Sequence, residues 1–480
     1  MWWNYSLFME EDFIGLLKSG ELDDSLEEVF RQFRDLSPKL QYELISYVKE
    51  KKKLVEVSAV AEGLGIRQRV AEGILSNGFK SFSFPAVDSE GKGVEVKAIV
   101  IKDLQNTYSN LEGLKRYIKE VEAFLRGEGL IEGSLGVIFD RNITGRSFQL
   151  SLALALYPER IPDELCFTGG LDKKGNILKV DGLRAKESFC KEKGKRLINP
   201  MELKHIGEVV GWFRKPFVEV PFLVSKDTNT RLEDLGEVER TLKYIKLFHG
   251  IQREELELYT GRLEGEAWKE VCIRFNTALR ELEGKLKNRL KLSIAINGPA
   301  TLAFALGVLY TSKKPFIFNH FVHGEGRYFP IEVVHTRELK ELVEDFEHTA
   351  SELMDRGGKD IAVILTGAHH ASIRDVESFL EKQGISADIL MLKPLREQGN
   401  IPPELHKHIA KEYATGIQRV KESKSYESIH FFFSVPISIA FMVGTAYGHY
   451  GHGYIYNYEK NTYTKVLEIG FLRSLIEKGQ

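Results

Sequence analysis

The sequence predicts a multidomain α/β protein, and three observations carry that expectation. The chain has 480 residues, more than a single hydrophobic core usually supports. An apolar run, Leu135-Gly136-Val137-Ile138-Phe139, leads through a polar turn into an apolar helix expected from Ser147 to Leu156, the rhythm of an α/β layer. The stretch from 289 to 480 carries a β-α-β pattern twice, which implies two like units. Hydrophobic residues make up 43% and charged residues 28%, the balance of a chain that folds throughout. With 67 Lys and Arg against 69 Asp and Glu, the net charge of -2 argues against a wholesale polyanion-binding surface and leaves phosphate recognition to local sites.

Residues 1–87 read as a helical domain. Leu26, Val29, Phe30 and Phe33 fall at helical spacing, and Ser37-Pro38 opens the next helix. Trp2, Trp3 and Phe8 are expected as a hydrophobic cap on that core. No basic segment precedes Glu10, Glu11 and Asp12, so no signal peptide is expected and the expected location is the cytoplasm. Val57 to Val70 has the helix, glycine turn, helix rhythm that DNA-reading hairpins share with plain packing units. Packing is the expected role, and direct DNA binding is not expected.

A second domain is expected over 88–235. Val94, Val96, Ala98 and Val100 alternate with polar residues as in a half-buried strand, and a helix follows over Leu111 to Leu125. Residues 236–288, with charged stretches such as Glu266 to Arg289, read as a helical connector. Cys166, Cys190 and Cys272 fit neither a disulfide framework nor a zinc site and read as reduced, buried thiols. The apolar run from His430 to Tyr447 approaches membrane-span length, but Pro436 interrupts it and Phe431-Phe432-Phe433 favours a strand; a buried strand followed by a helix is expected.

A serine becomes a nucleophile when a nearby base takes its proton, and lysine serves once burial lowers its pKa. Ser147 stands where a strand-derived loop enters a helix, so backbone N–H groups there can meet an oxyanion. Lys186 lies on a later helix behind a glycine-containing turn. Taken alone, such a serine is usually an N-cap and such a lysine a solvated surface residue. Their surroundings say more. Phe167-Thr168-Gly169-Gly170, then Gly175-Asn176-Ile177-Leu178-Lys179-Val180-Asp181-Gly182, then Lys186 resemble the Met-Thr-Gly-Glu stretch, the Gly-x-Val-Leu-Pro-Ile-Gly-Gly turn and the lysine of the Lon-family proteolytic domain, with the spacing from Thr168 to Lys186 unbroken. Thr144-Gly145-Arg146-Ser147 and the helix through Leu152-Ala153-Leu154-Ala155-Leu156 resemble that family's serine loop and apolar helix. Lys195-Arg196-Leu197-Ile198-Asn199-Pro200 resembles its strand ending in Ile-Pro. The resemblance spans roughly 88–230. It implies a Lon-type α/β protease domain with Ser147 as nucleophile, Lys186 as general base and Thr168 orienting the lysine amine, hydrolysing peptides through an acyl-enzyme. Arg146 stands in place of the family's usual Pro, Phe148-Gln149 in place of Ala-Gly, and Asp181 in place of the first Gly of a pair. No G-x-x-x-x-G-K-[ST] phosphate loop occurs, so the ATPase motor of ordinary Lon proteases is not expected.

In the C-terminal region Pro299, Ala303, Phe304, Gly307 and Tyr310 recur in register as Pro436, Ala440, Phe441, Gly444 and Tyr447. Each copy follows an apolar strand, Leu292 to Ile296 or Ile429 to Phe433, and precedes an aromatic one, Phe316-Ile317-Phe318-Asn319 or Tyr454-Ile455-Tyr456-Asn457. Phe304, Tyr310, Phe441 and Tyr447 keep helical spacing and are expected in the core. The pattern, over about 289–476, resembles the SAVED domain, which fuses two CARF-type, Rossmann-like units and binds cyclic oligoadenylates. Candidate ligand contacts lie where strands end and helices begin: Asn297, Gly298 and Thr301 in the first copy, Ser434 and Ser438 in the second, and Thr366, Gly367 and His369 after a further strand. Lys393 and Arg396 would add positive charge. His369, His370, His449 and His452 lack complementary Cys or acidic spacing, so no metal is expected.

The arrangement as a whole resembles the CRISPR-associated SAVED-Lon proteases. That implies an ATP-independent Ser/Lys endopeptidase without cofactor, activated by cyclic tetra-adenylate or a related cyclic oligonucleotide. It would cleave a protein partner encoded nearby, in type III CRISPR antiviral signalling, with ligand-induced homo-oligomerisation. The alternative is a nucleotide-responsive DNA-binding regulator whose Lon-like domain is inactive.

Overall fold

The strand expected at Val94 to Lys102 is buried on both faces rather than one, and this sets the architecture of the N-terminal half. The computed structural model describes residues 10–51, 55–68, 71–72, 75, 79–236, 238–310, 314–367, 373–395 and 401–478. The chain divides into two units, Met1–Lys215 and Pro216–Gln480.

The first unit opens with helices α1 (Glu10–Ser19), α2 (Leu26–Arg31), α3 (Pro38–Lys51) and α4 (Val57–Leu64). Strand β1 (Lys80–Val87) then pairs antiparallel with β2 (Gly93–Leu104). Strand β3 (Tyr108–Ser109), helix α5 (Lys115–Gly127) and strand β4 (Ser134–Phe139) follow, in a sheet ordered β1-β2-β4-β3. Side chains alternate across a sheet. Ile99, Ile101 and Ile138 point to one face, where they share a core with Phe13, Val29 and Phe33 of the helical layer. On the other face Phe148 meets Phe139 and Phe84, ring centroids 5.1 and 6.1 Å apart. The helices therefore do not form the separate 1–87 domain expected: β1 belongs to the sheet, and helices and sheet share one core.

Helix α4 serves that packing. A Cβ on Gly63 would lie 2.0 Å from the Phe30 carbonyl oxygen, so the glycine lets α4 cross the end of α2 at backbone contact. Much of the second helix expected in that hairpin, like Trp2, Trp3 and Phe8, lies outside the described residues. The unit continues through α6 (Gln149–Leu156), β5 (Leu165–Phe167), β6 (Gly170–Leu171), β7 (Ile177–Leu178), α7 (Leu183–Glu192), β8 (Arg196–Ile198) and α8 (Ile206–Arg214). Strands β5 and β8 pair in parallel with α7 in the crossover between them, while β6 and β7 form an antiparallel hairpin.

The second unit begins earlier than the sequence suggests. Strand β9 (Val218–Ser225) pairs in parallel with β11 (Leu290–Asn297), and α9 (Glu239–His249), β10 (Glu257–Tyr259) and α10 (Ala267–Leu286) lie between them in sequence. Helix α11 (Ala300–Leu309) and strands β12 (Phe316–Val322) and β13 (Arg327–Val333) complete a sheet ordered β10-β9-β11-β12-β13. After the edge strand β14 (Thr349–Met354) the same series runs again: β15 (Asp360–Thr366), α12 (Ile373–Lys382), β16 (Ala387–Pro394), α13 (His406–Ser423), β17 (Ile429–Ser434), α14 (Ile437–Tyr447), β18 (Tyr454–Glu459) and β19 (Thr462–Glu468). Its sheet is β14-β16-β15-β17-β18-β19, and helix α15 (Ile469–Glu477) ends the described chain. Each copy is thus β-α-β-α-β-α-β-β, four parallel strands and an antiparallel last one. The boundary expected at 235 lies at Lys215/Pro216, and the expected connector is instead the middle of the first copy.

The two copies meet through the helices that carry the repeated motif. A Cβ on Gly307 of α11 would lie 2.1 Å from the Phe441 carbonyl oxygen, and one on Gly444 of α14 would lie 2.2 Å from that of Phe304. Phe304 packs against Phe431 and Phe433 of β17, with ring centroids 4.8 and 4.9 Å apart. Phe441 packs reciprocally against Phe316 and Phe318 of β12, at 5.4 and 5.3 Å. His430 to Tyr447 is the expected strand and helix, and among the described residues no helix is long and apolar enough to cross a membrane.

A methyl group at either crossing glycine has no space without pushing the helices apart, so Gly307→Ala and Gly444→Ala are each expected to destabilise the full chain by about 1–3 kcal/mol. Gly284, exposed on α10 with nothing within 4 Å of its Cβ position, is the control. Gly284→Ala is expected to be neutral or to stabilise by up to about 1 kcal/mol through helix propensity. Urea unfolding of the three variants checks this.

Candidate functional site

In the first unit the loop between β4 and α6 carries Ser147. Gly145 takes a left-handed φ of 81°, which turns the chain into the helix at low steric cost. The loop is then stitched to the segment after β5. Gly169 N–H donates to the Ser147 carbonyl at 3.1 Å, and Leu150 N–H donates to the Gly169 carbonyl at 3.2 Å. The Gln149 N–H goes to the Arg146 carbonyl; those of Ser147 and Phe148 have no acceptor among the described residues.

The residues at which the sequence departs from the expected Lon-family pattern are packed into the fold. Phe148 is buried in the aromatic cluster with Phe139 and Phe84. Gln149 is buried, donates from Nε2 to the Tyr117 carbonyl at 2.8 Å and accepts from Leu171 N–H at 2.9 Å. It ties the start of α6 to both α5 and β6. Arg146 lies 5.2 Å over the Tyr117 ring and crosses Gly170, where a Cβ would meet its Cδ at 2.4 Å.

Thr168 extends the line of β5, its N–H donating to the Ile198 carbonyl at 3.1 Å. It is 0% exposed, and its Oγ1 has no hydrogen-bond partner among the described residues. A buried hydroxyl in that state costs about 1–3 kcal/mol. Lys186, on α7, is 3% exposed and donates from Nζ to the Asp181 carbonyl at 2.8 Å. Burial lowers its pKa to about 8, partly opposed by the Asp181 carboxylate. The carbonyl is a backbone group that a glycine would supply as well; what Asp181 adds at the departure from the glycine pair is the carboxylate that opposes the shift. The Gly169 bond sets the Ser147 backbone beside the residue after Thr168, and Lys186 is buried; among the described residues no hydrogen bond joins the side chains of Ser147, Thr168 and Lys186.

In the second unit the expected ligand contacts fall into two groups. Thr366, Ser434 and Lys393 end the parallel strands β15, β17 and β16, so they share the carboxyl edge of one sheet. Thr366 offers its carbonyl to the Tyr413 hydroxyl at 2.6 Å, and Lys393 is paired with Glu352. Asn297 stands at the corresponding edge of the first sheet, where its amide donates to Ser225 Oγ and Thr230 Oγ1 at 3.3 and 3.1 Å, and Gly298 follows it. Gly367 packs against Ile401. His369, His370 and Arg396 lie outside the described residues. Thr301 and Ser438, by contrast, are buried with their hydroxyls engaged: Thr301 donates to the Tyr456 carbonyl at 3.2 Å, and Ser438 Oγ lies 2.7 Å from His406 Nδ1.

That last contact belongs to a chain that sequence reasoning missed. His406 Nε2 lies 2.9 Å from the Ile401 carbonyl, so Nε2 carries the proton and Nδ1 accepts from Ser438. His320 Nδ1, 3.4 Å from Ser438 Oγ, donates in turn. Burial lowers the pKa of both imidazoles to about 4, so both are neutral near pH 7. His320 sits on β12 of the first copy and His406 on α13 of the second, and no local pattern links them. A cavity of about 400 Å³ lined by Lys340, Lys421 and Tyr447 was likewise not legible; the Lys421 ammonium lies 4.9 Å over the Tyr447 ring, and burial lowers the pKa of both lysines. Among the described residues no three His, Cys, Asp or Glu side chains come together as metal ligands would.

Comparison with known proteins bears on the second unit. Residues 274–469 match the SAVED family, described as the SMODS-associated and fused to various effectors sensor domain. No curated protein matches the chain. Among solved structures, an Acinetobacter baumannii Cap4 SAVED/CARF-domain containing receptor with the cyclic trinucleotide 3'3'3'-cAAA matches at 12% identity and a TM-score of 0.38, over 97% of this chain and 87% of that one. The Moraxella osloensis Cap4 SAVED/CARF-domain containing receptor matches at 11% identity and a TM-score of 0.35, over 81% of this chain and 94% of that one. The duplicated α/β unit and the family match agree on one assignment: residues 274–469 of this chain form a SAVED sensor domain.

Proposed function

We propose that the protein is a Ser/Lys endopeptidase switched on by a cyclic oligonucleotide, with Ser147 as nucleophile, Lys186 as general base and Thr168 as the hydroxyl that orients the amine. The observation that carries this reading is the buried Lys186, with its pKa lowered to about 8, in the same unit as a serine loop stitched to Gly169, the residue after Thr168. A neutral Lys186 takes the Ser147 hydroxyl proton, the serine oxygen adds to a peptide carbonyl, and the Ser147 and Phe148 N–H groups stand at the helix start to meet the oxyanion. The protonated lysine then gives its proton to the leaving amine, and water, deprotonated by the same amine, releases the acyl group. In the state described Lys186 holds the Asp181 carbonyl and Thr168 Oγ1 is unpartnered, so the amine must turn from the first toward the second for the base to work.

The family matched by residues 274–469 is a sensor fused to effectors, and a peptidase in the first unit is an effector in that sense. The ligand is a cyclic oligoadenylate, with cyclic tetra-adenylate the first to test. It binds at the carboxyl edges of the duplicated sheets, near Asn297, Thr366, Lys393 and Ser434, where strand ends and helix starts present backbone N–H groups to phosphate. Control operates by the ligand favouring an active assembly of several copies. The target is a protein partner in CRISPR-type antiviral signalling.

Reaction of Ser147 with a fluorophosphonate is expected to rise with pH to a plateau, half-complete near pH 8, because only the neutral amine is a base. Ser147→Ala is expected to abolish labelling, and Lys186→Ala to slow it at least about a hundredfold and flatten the profile. A profile unchanged in Lys186→Ala would remove the lysine from the mechanism.

Thr168→Val deletes the unpartnered hydroxyl at nearly constant shape, so thermal stability is expected to hold or rise while labelling falls by about tenfold or more. Reduced stability with unaltered labelling would make Thr168 purely structural.

Cleavage of co-purified and neighbouring-gene proteins, with and without cyclic tetra-adenylate, tests the switch. A product that needs both the ligand and Ser147 is the expected outcome. Cleavage indifferent to the ligand keeps the peptidase and ends the proposed control.

A further inference from the structure

Two of the three cysteines meet beside the proposed dyad. Cys166 lies on β5 and Cys190 on α7, 8% and 0% exposed, in a small apolar cluster with Leu197 and Phe189. Both lie in that one cluster, close enough that each thiol alters the ionisation of the other. Cys166 is two residues before Thr168 on an extended strand, so both side chains point to the same side. Cys190 is four residues after Lys186 and therefore one helical turn along the same face. The sulfur pair thus bridges the two elements that carry the proposed base and its orienting hydroxyl.

We propose that Cys166 and Cys190 are a redox-sensitive pair that a peroxide converts to an intramolecular disulfide, and that this bond slows the chemistry of Ser147. The two thiols are not equivalent. The neighbouring Cys190 thiol, aided by the Lys195 ammonium, pulls the Cys166 pKa below the usual thiol value, while Cys166 and burial push Cys190 up. Cys166 is therefore the thiolate that reacts first. Its sulfur attacks hydrogen peroxide, the O–O bond breaks, and sulfenic acid and hydroxide form. The Cys190 sulfur then attacks the sulfenic sulfur, an S–S bond forms, and water leaves with the thiol proton. Overall two thiols and one hydrogen peroxide give one disulfide and two waters.

The disulfide changes geometry where precision counts. An S–S bond of about 2.05 Å is far shorter than the contact of two thiols, so forming it pulls α7 and β5 toward each other beyond what side-chain rotation takes up. A displacement of order 1 Å at a catalytic group costs roughly a hundredfold in rate. The cross-link itself stands independently of the peptidase reading; its effect on Ser147 rests on that reading.

The test treats the full chain with hydrogen peroxide under native conditions, then measures peptide mass and fluorophosphonate labelling. The expected result is a Cys166–Cys190 linked peptide lacking two hydrogens, a 10- to 100-fold slower labelling (about the cost of such a displacement) and recovery on adding dithiothreitol. Cys166→Ser and Cys190→Ala are each expected to remove the peroxide response, and either variant suffices if the other misfolds. Absence of the linked peptide overturns the proposal. A linked peptide with unaltered labelling overturns the control of Ser147. If the reduced protein is never labelled, the peptidase reading fails while the mass measurement still decides the disulfide.

Discussion

The C-terminal unit depends on one close approach, the crossing of α11 and α14 at Gly307 and Gly444. Each glycine admits the backbone of the other helix, and only at that separation does each helix reach the opposite copy's sheet. Phe304 of the first copy then packs on Phe431 and Phe433 of the second, and Phe441 of the second packs on Phe316 and Phe318 of the first. Each α/β copy would by itself expose one apolar helix face; the pair removes both from water, which is the dominant favourable term in folding. The same contact explains why the repeat is preserved at an alanine, a phenylalanine and a glycine, and why Thr301 and Ser438, the second residues of these helices, are packed rather than open.

The N-terminal unit carries its costs in one place. Burying an ammonium is unfavourable unless its charge is relieved, and Lys186 answers with a lowered pKa and a single carbonyl partner. The unpartnered Thr168 hydroxyl is a second cost nearby in the fold. Perturbed ionisation and unsatisfied polar atoms gather where function overrides stability. The helix start behind Ser147 is held separately: Gln149 clamps it from two sides, and Phe148 anchors it in the aromatic cluster.

Much of this was legible in the residues. The repeat, the strands at 135–139 and 429–433, the reduced cysteines and the helix behind Ser147 all follow from periodicity and composition. The first copy's opening was not, because β9 and β10 lack the repeated motif and α10 looks like a solvated connector by its charge. Its inner face is Trp268, Val271, Cys272 and Phe275, at i, i+3, i+4 and i+7, all buried. The alternation at Val94 to Val100 suggested one buried face because the helices covering the other come from distant sequence.

By itself the sequence determined many of the strands and helices, that two of its parts are copies, and which serine, threonine and lysine match the pattern of the family it resembles. These are local properties, written in periods of 2.0 and 3.6 residues and in glycine positions. Tertiary structure alone decided that Lys186 is buried enough to lose its proton near pH 8, that the Thr168 hydroxyl lacks a partner among the described residues, that Ser438 bonds to His406, and that Cys166 meets Cys190. Each of these depends on desolvation and contact between residues brought together only by the fold, quantities that no stretch of chain carries on its own.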